Sequence, residues 1–152
     1  TLVKSVTVGL EDGQFLVVGA PPAYGKTSLL QLLERVYEQN GFWVKRFELM
    51  SGGGSGFNNL ESLFEHHTGI DLNRRLIVDR VTTTPKFILC DEAHTVYEDQ
   101  VFWQALFKHF PSWKGNANYK FVFAVTYDLK VGGSPIVFQE PGFKELGLVS
   151  YS

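Results

Sequence analysis

Short apolar runs alternate along this chain with segments in which apolar residues recur every three or four positions. The runs are rich in β-branched and aromatic residues, as buried strands are, whereas the recurring positions place apolar side chains on one face of a helix. We therefore predict an α/β fold of three layers, with a mostly parallel central sheet flanked by helices. The predicted strands are residues 14–19, 42–50, 87–90 and 119–126, and the predicted helices are residues 28–37, 60–67 and 99–110.

The pattern is weaker in four further segments. A second helical turn is predicted to start at Asp71, and residues 131–135 are predicted to form a turn. Residues 135–138 and the tail 146–149 offer one or two closing strands. The Gly- and Ser-rich segment 51–56 has the composition of a flexible linker, so it is either a mobile loop at the rim of the site or an artificial linker.

The segment between the first predicted strand and helix reads Ala-Pro-Pro-Ala-Tyr-Gly-Lys-Thr. Such a turn leaves the amides of the first helical turn unpaired, and these amides and the helix dipole together bind phosphate. Gly25 lets the backbone approach a phosphate, Lys26 adds positive charge, and the Thr27 hydroxyl can bind Mg²⁺. We predict a phosphate loop of the looser kind that begins with Ala. The predicted nucleotide-binding residues are Ala20, Pro22, Ala23, Tyr24, Gly25, Lys26, Thr27 and Ser28.

An acidic pair follows the predicted strand 87–90, whose sequence Phe-Ile-Leu-Cys suits an interior strand covered on both faces. Ligands of parallel sheets bind at the carboxyl ends of the strands, so we expect Asp91 to face Thr27 across a magnesium ion. Glu92 can orient and deprotonate an attacking water, the step that distinguishes hydrolysis from binding. Alone, such a pair after a strand is often a helix cap, but together with the phosphate loop it favours the catalytic interpretation.

Two further candidates are less specific. Thr126 ends the fourth predicted strand, where its hydroxyl can sense the γ-phosphate or simply terminate the strand. With Glu92 and Lys26 it completes the predicted catalytic set. One of the three arginines in this part of the chain could reach the phosphates of a neighbouring subunit as an arginine finger, although a surface helix face is the ordinary role. These arginines are Arg74, Arg75 and Arg80.

Composition narrows the function classes. The chain has 152 residues, of which 44% are hydrophobic and 14% aromatic, so it can bury a full core as one domain. A net charge of -2 without a basic run gives no electrostatic footprint for nucleic acid or membrane. Cys90 is the single cysteine, which excludes an internal disulfide and a multi-cysteine zinc site. The start at Thr1 lacks an initiator Met, so we interpret residues 1–152 as one domain excised from a longer protein.

Three families share parts of the acidic motif. Asp91-Glu92-Ala93-His94 resembles the box of a helicase class, but a helicase needs two lobes. Type II thymidine kinases also place Asp-Glu-Ala after a buried strand, but they carry a four-cysteine zinc site. The run 88–103, with Lys108 and the later Gly133-Ser134-Pro135, resembles the NTPase domain of Crinkler-type effectors of oomycetes and fungi.

The chain departs from the Crinkler pattern twice. His94 stands where that family has Gln, which leaves the polar role of this position open, and extra residues precede Gly133. The resemblance implies a regulatory ATPase related to signal-transducing P-loop NTPases. It also implies a protein that is secreted by a microbe and acts in the host cell nucleus, with other domains outside this chain.

The motifs predict an Mg²⁺-dependent nucleoside triphosphatase, with ATP as the expected nucleotide and with Thr27 and Asp91 as the metal ligands. A nucleotide-binding switch with little turnover, which drives self-association or partner recruitment, is the first alternative. A phosphotransferase that acts on a small molecule is the second. Nucleotide is the predicted partner. Self-association into a homo-oligomer is a further alternative.

Overall fold

The computed structural model describes residues 4, 6, 15–20, 25–74, 84–110, 119–126 and 143–147, and of residues 20 and 143–147 it describes the backbone alone. Five strands and three α-helices lie in these ranges. The strands are β1 (Phe15–Ala20), β2 (Trp43–Glu48), β3 (Lys86–Asp91), β4 (Tyr119–Thr126) and β5 (Phe143–Gly147), and the helices are α1 (Lys26–Gln39), α2 (Leu60–Thr68) and α3 (Gln100–His109).

The five strands form one sheet in the order β2-β3-β4-β1-β5, and every strand pairing is parallel. The α/β class and the parallel sheet predicted from the pattern are thus confirmed. Because the strands are parallel, all their carboxyl ends meet at one edge of the sheet. This edge carries the ends of β1, β3 and β4, with β4 between the other two.

Alternating residues of β1 point to opposite faces of the sheet, as strand geometry requires. Leu16 and Val18 belong to the core under α1, which contributes Leu30 and Leu33. Phe15 and Val17 belong to the core under α2 and α3. The sheet is therefore covered on both faces, which gives the three predicted layers.

The face under α3 is dominated by aromatic rings, which we call the aromatic layer: Phe15, Trp103, Phe110, Phe121 and Phe123. The Phe15 and Phe121 rings are stacked 5.0 Å apart, and the Trp103 ring meets Phe123 edge-on at 5.2 Å. The Trp103 indole N–H donates to the Val96 carbonyl oxygen over 2.8 Å, so its one polar atom is satisfied although the side chain is buried.

Local signals fix the ends of the helices. The Asn59 carboxamide oxygen accepts from the Ser62 N–H and so caps the start of α2. Asp99 does the same for the Phe102 N–H at the start of α3. None of the helices in the described ranges is long and apolar enough to cross a membrane.

In the Gly-rich segment, Ser51–Gly53 forms a 3-10 helix. Gly53 has φ 86°, and a Cβ there would lie 2.3 Å from the Asn59 carbonyl oxygen. This position therefore requires glycine for a packing reason that composition does not show. The predicted turn 131–135 and strand 135–138 lie outside the described residues, as does the part of the predicted helical turn that follows Arg74.

Candidate functional site

The site is built on the carboxyl ends of three neighbouring strands. β1 ends at Ala20, which pairs with Thr126 at the end of β4. β3 ends at Asp91 on the other side of β4. The predicted phosphate loop and the predicted acidic pair therefore open onto the same edge of the sheet.

The helix that follows the loop begins as the motif predicts. Gly25 is left-handed, with φ 79°, a conformation that glycine adopts without strain, and α1 begins at Lys26. The Leu29 N–H donates to the Gly25 carbonyl oxygen over 2.9 Å, which closes the first helical turn. Thr27 and Ser28 are exposed on that turn. Three predicted loop residues lie outside the described residues: Pro22, Ala23 and Tyr24.

Four side chains from the loop and from the end of β3 meet in what we call the lysine–carboxylate cluster: Lys26, Thr27, Asp91 and Glu92. The Lys26 ammonium lies 3.0 Å from Asp91 Oδ1 and also contacts Glu92 Oε1. The Thr27 hydroxyl donates to Asp91 Oδ2 over 2.6 Å. The two halves of the predicted site, 64 residues apart in sequence, are thus in direct contact.

The contacts within the cluster shift the pKa values of Asp91 and Lys26. Burial alone raises the pKa of Asp91, but hydrogen bonds from Thr27, Lys26 and the Glu92 N–H outweigh it, so the pKa lies below its usual range. Burial lowers the pKa of Lys26, but hydrogen bonds to Glu92 and Asp91 outweigh it and leave a raised pKa. Both groups are therefore charged at neutral pH.

Glu92 has an unusual backbone conformation. Its φ of 57° makes it the single non-glycine residue with positive φ among the residues that the structure describes. Such a conformation is strained for a side chain with a Cβ, and it turns the chain sharply from β3 into the 3-10 helix Ala93–Val96. The Glu92 carbonyl oxygen accepts from the Thr95 hydroxyl over 2.7 Å, which helps to hold the turn. The result is that Glu92 and Asp91 both face Lys26.

Thr126 meets the site through its backbone. Its N–H donates to Nδ1 of His94 over 3.0 Å, and Nε2 of the same ring lies 3.4 Å from Glu92 Oε2. A role of the Thr126 hydroxyl at the γ-phosphate stays a prediction. His94 is the residue near the site whose role sequence reasoning left open. Its signal was the departure from Gln at the fourth position of the acidic motif.

The structure also describes Cys90 and Arg74. Cys90 is fully buried in β3, and this burial raises the pKa of its thiol, so the residue is part of the core. The Arg74 side chain is 85% exposed and lies 3.4 Å from Asp71 Oδ2. Arg75 and Arg80 lie outside the described residues, so the arginine finger stays a prediction.

The donor atoms at the cluster fit a magnesium ion. In nucleotide sites Mg²⁺ takes one or two protein oxygens and completes its octahedron with phosphate oxygens and water. Thr27 Oγ1 and Asp91 Oδ2 are two such oxygens, and they are adjacent. Within the described ranges, no group of three or more His, Cys, Asp or Glu residues could hold a metal. A metal at this site would thus depend on the nucleotide for most of its ligands.

Comparison with known proteins bears on the fold. The sequence matched no protein family and no curated protein. Among solved structures, a DNA replication initiation factor has a TM-score of 0.60 at 16% identity, over 94% of this chain and 44% of that chain. DnaA from Aquifex aeolicus bound to AMPPCP has a TM-score of 0.53 at 15% identity, over 94% and 44%. PCH-2 from C. elegans has a TM-score of 0.52 at 13% identity, over 96% and 40%.

At these identities the similarity concerns the fold. The chain shares the α/β fold of these neighbours, which confirms the predicted fold class. It spans less than half the length of these neighbours. A specific relation to Crinkler-type effectors does not follow from them.

Proposed function

We propose that this chain is an Mg²⁺-dependent nucleoside triphosphatase that hydrolyses ATP. One observation carries the proposal: Lys26 and Thr27, at the start of α1, contact Asp91 and Glu92 at the end of β3. A phosphate-binding charge, two metal-binding oxygens and a general base thereby share one edge of a parallel sheet. The DnaA structure with a similar fold is bound to AMPPCP, an adenine nucleotide, which supports the choice of ATP.

Lys26 and the amides at the start of α1 hold the phosphates in this proposal. Lys26 has three donors, and in the structure it contacts two carboxylates. An incoming triphosphate offers the same kind of partner, an anionic oxygen, so Lys26 can exchange a carboxylate for a phosphate without losing an ionic contact. The N-terminus of α1 favours this exchange because its dipole attracts negative charge.

Thr27 and Asp91 hold the metal. When bound, Mg²⁺ neutralises charge on the phosphates and fixes their orientation. Asp91 is suited to this task because its pKa is low, so it is ionised at neutral pH. The Thr27 hydroxyl, which donates to Asp91 in the structure, can instead direct its oxygen lone pair to the ion.

Glu92 is the general base. It is half-buried, its Oε1 contacts Lys26, and its Oε2 lies 3.4 Å from His94 Nε2. In an extended strand the side chains of Asp91 and Glu92 would point to opposite faces of the sheet. The left-handed backbone at Glu92 instead places its side chain next to that of Asp91. A water held by Glu92 is therefore close to the phosphate that Lys26 holds, and Glu92 takes its proton during attack.

The sequence resemblance supports a further proposal, that the chain is the regulatory NTPase module of a Crinkler-like effector that is secreted and acts in the host nucleus. Two shared residues, Asp99 and Trp103, have structural roles here, as the cap of α3 and as a core residue. The resemblance therefore partly reflects folding requirements. Location of the tagged protein in infected host cells, by microscopy, would test this proposal separately from the chemistry.

The deciding experiment measures binding and turnover in parallel. Isothermal titration with ATP and with GTP, with and without Mg²⁺, gives the affinities, and phosphate release gives the rate. We expect Mg²⁺-dependent binding of ATP and slow hydrolysis. Tight binding without phosphate release would favour the nucleotide-binding switch, and phosphate found on an acceptor would favour a phosphotransferase.

The Glu92→Gln variant isolates the chemical step. We expect nucleotide affinity to change little and turnover to fall by about 10²–10⁴-fold, because the amide cannot accept the proton. Glu34→Gln is the matched control, since Glu34 lies farther along α1 and pairs with Arg46 of β2. Equal turnover of Glu92→Gln and the unsubstituted chain would reject Glu92 as the base.

A further inference from the structure

His94 joins the end of β3 to the end of β4, and it lies 32 residues before Thr126 in the sequence. Its Nδ1 accepts the backbone N–H of Thr126, at the end of β4, over 3.0 Å. Its Nε2 lies 3.4 Å from Oε2 of Glu92, at the end of β3. One imidazole ring therefore contacts both the proposed base and the strand end next to the phosphate loop.

The contact with Thr126 fixes the protonation pattern of the ring. A backbone N–H can only donate, so Nδ1 must be unprotonated to accept it. A neutral imidazole then carries its proton on Nε2, the nitrogen that faces Glu92. The ring consequently presents a donor to the carboxylate, and the tautomer is set by β4 rather than by Glu92.

The backbone that carries the ring is held in place. The neighbouring residues Ala93 and Val96 are buried in the aromatic-rich core, and the Val96 carbonyl oxygen accepts the Trp103 indole N–H. The His94 side chain itself is 16% exposed. This is the environment of a positioned side chain rather than of a solvated surface histidine.

Glu92 has two contacts of different kinds. Oε1 contacts Lys26, which is also the proposed phosphate ligand, whereas Oε2 faces His94, whose other nitrogen is occupied by Thr126. Phosphate can compete for Lys26 but not for a ring that is already held between two protein groups. When Lys26 turns to a nucleotide, the contact with His94 is the one that remains.

We propose that His94 is a positioning residue that holds the Glu92 carboxylate in place and links it to the end of β4. The inference rests on the proposed function, because it assigns a partner to the proposed base. It also gives a role to the position where this chain has His and the Crinkler pattern has Gln. Both side chains can accept from the Thr126 N–H with one atom and donate to Glu92 with another.

The kinetic test compares His94→Ala, His94→Gln and the control His66→Ala, a change at an exposed histidine of α2. We expect His94→Ala to lower kcat about 10- to 100-fold with nucleotide affinity within about threefold, because Glu92 loses the contact that holds its carboxylate in place and a misplaced base reacts more slowly. We expect His94→Gln to stay within about threefold in both quantities. Unchanged turnover in His94→Ala, or an equal loss in His94→Gln, would overturn the proposal.

A spectroscopic test does not depend on turnover. Side-chain ¹⁵N spectra of the folded chain should show His94 with its proton on Nε2, and Glu92→Gln should shift that resonance. His94→Ala should shift the Thr126 amide, which loses its acceptor, and thermal unfolding should show that each variant is folded. A proton on Nδ1 would overturn the link, whereas a chain with the expected spectra but no hydrolysis would overturn the proposed function instead.

Discussion

The lysine–carboxylate cluster and the aromatic layer hold their side chains by opposite means. In the cluster, Lys26 and Asp91 are held by charge at 3.0 Å, at an edge of the sheet where an ionic ligand can take over either contact. In the aromatic layer, Trp103 and Phe123 are held by shape, and removal of either ring leaves a cavity that nothing refills. Contacts that a ligand can replace are therefore concentrated where we propose nucleotide binding, whereas the packed contacts of the aromatic layer lie where they stabilise the fold.

The largest effect is expected from removal of the Lys26 ammonium from the lysine–carboxylate cluster. We expect Lys26→Ala to abolish nucleotide binding, weakening it by at least about 100-fold, because the phosphates lose their charged partner. Titration calorimetry measures the loss, and Lys45→Ala is the control, since Lys45 is an exposed lysine of β2. Nucleotide affinity that survives Lys26→Ala would mean that the phosphates bind elsewhere.

The next effect breaks the aromatic layer instead. Trp103→Ala should lower the free energy of unfolding by about 3–5 kcal/mol, because it empties a buried site. It also leaves the Val96 carbonyl oxygen without its donor. Urea denaturation measures the change. On the same helix, Val101 is 70% exposed, so Val101→Ala should cost within about 0.5 kcal/mol. Similar losses in both variants would show that the layer does not carry the stability.

A smaller effect is expected from the loss of the Thr126 hydroxyl at the end of β4. Thr126→Val keeps the strand-favouring branched shape and the backbone N–H that His94 accepts, but it removes the hydroxyl. If that hydroxyl senses the γ-phosphate, turnover should fall about tenfold with little change in stability, as expected for one hydrogen bond to a charged group. Unaltered single-turnover hydrolysis would leave Thr126 as an ordinary strand end.

The smallest expected effect concerns pH, to which the cluster responds and the aromatic layer does not. The pKa of Asp91 is lowered on folding, so its stabilising contribution is present above the unfolded value, about 3.9, and is lost as the pH falls further. The pKa of Lys26 is raised, so its contribution is present below about 10.4 and is lost as the pH rises through the folded value. Denaturation curves of Asp91→Asn should depend less on acid than those of the unsubstituted chain, and identical curves would contradict this.

Several elements could be predicted from local pattern alone. The apolar run at 87–90 and the acidic residues after it gave the interior strand β3 with Asp91 at its end, and Gly25 gave the turn before α1. The edge strand β5 was harder to predict, because its sequence Phe-Lys-Glu-Leu-Gly has no continuous apolar run. The predicted tail strand 146–149 overlaps it by only two residues. Among the strands that the structure describes, β5 pairs with β1 alone, and an edge strand tolerates polar residues that an interior strand does not.

Periodicity and turn preferences act between close neighbours in the chain, so they were enough to predict which residues form strands and helices and which of them carry chemistry. The assembled fold was needed to show that β4 lies between β1 and β3, that Lys26 contacts both carboxylates, and that His94 connects Glu92 to Thr126. The contacts of Lys26 with the two carboxylates and of His94 with Thr126 join residues 32 to 66 positions apart, and their geometry depends on how the whole sheet is assembled.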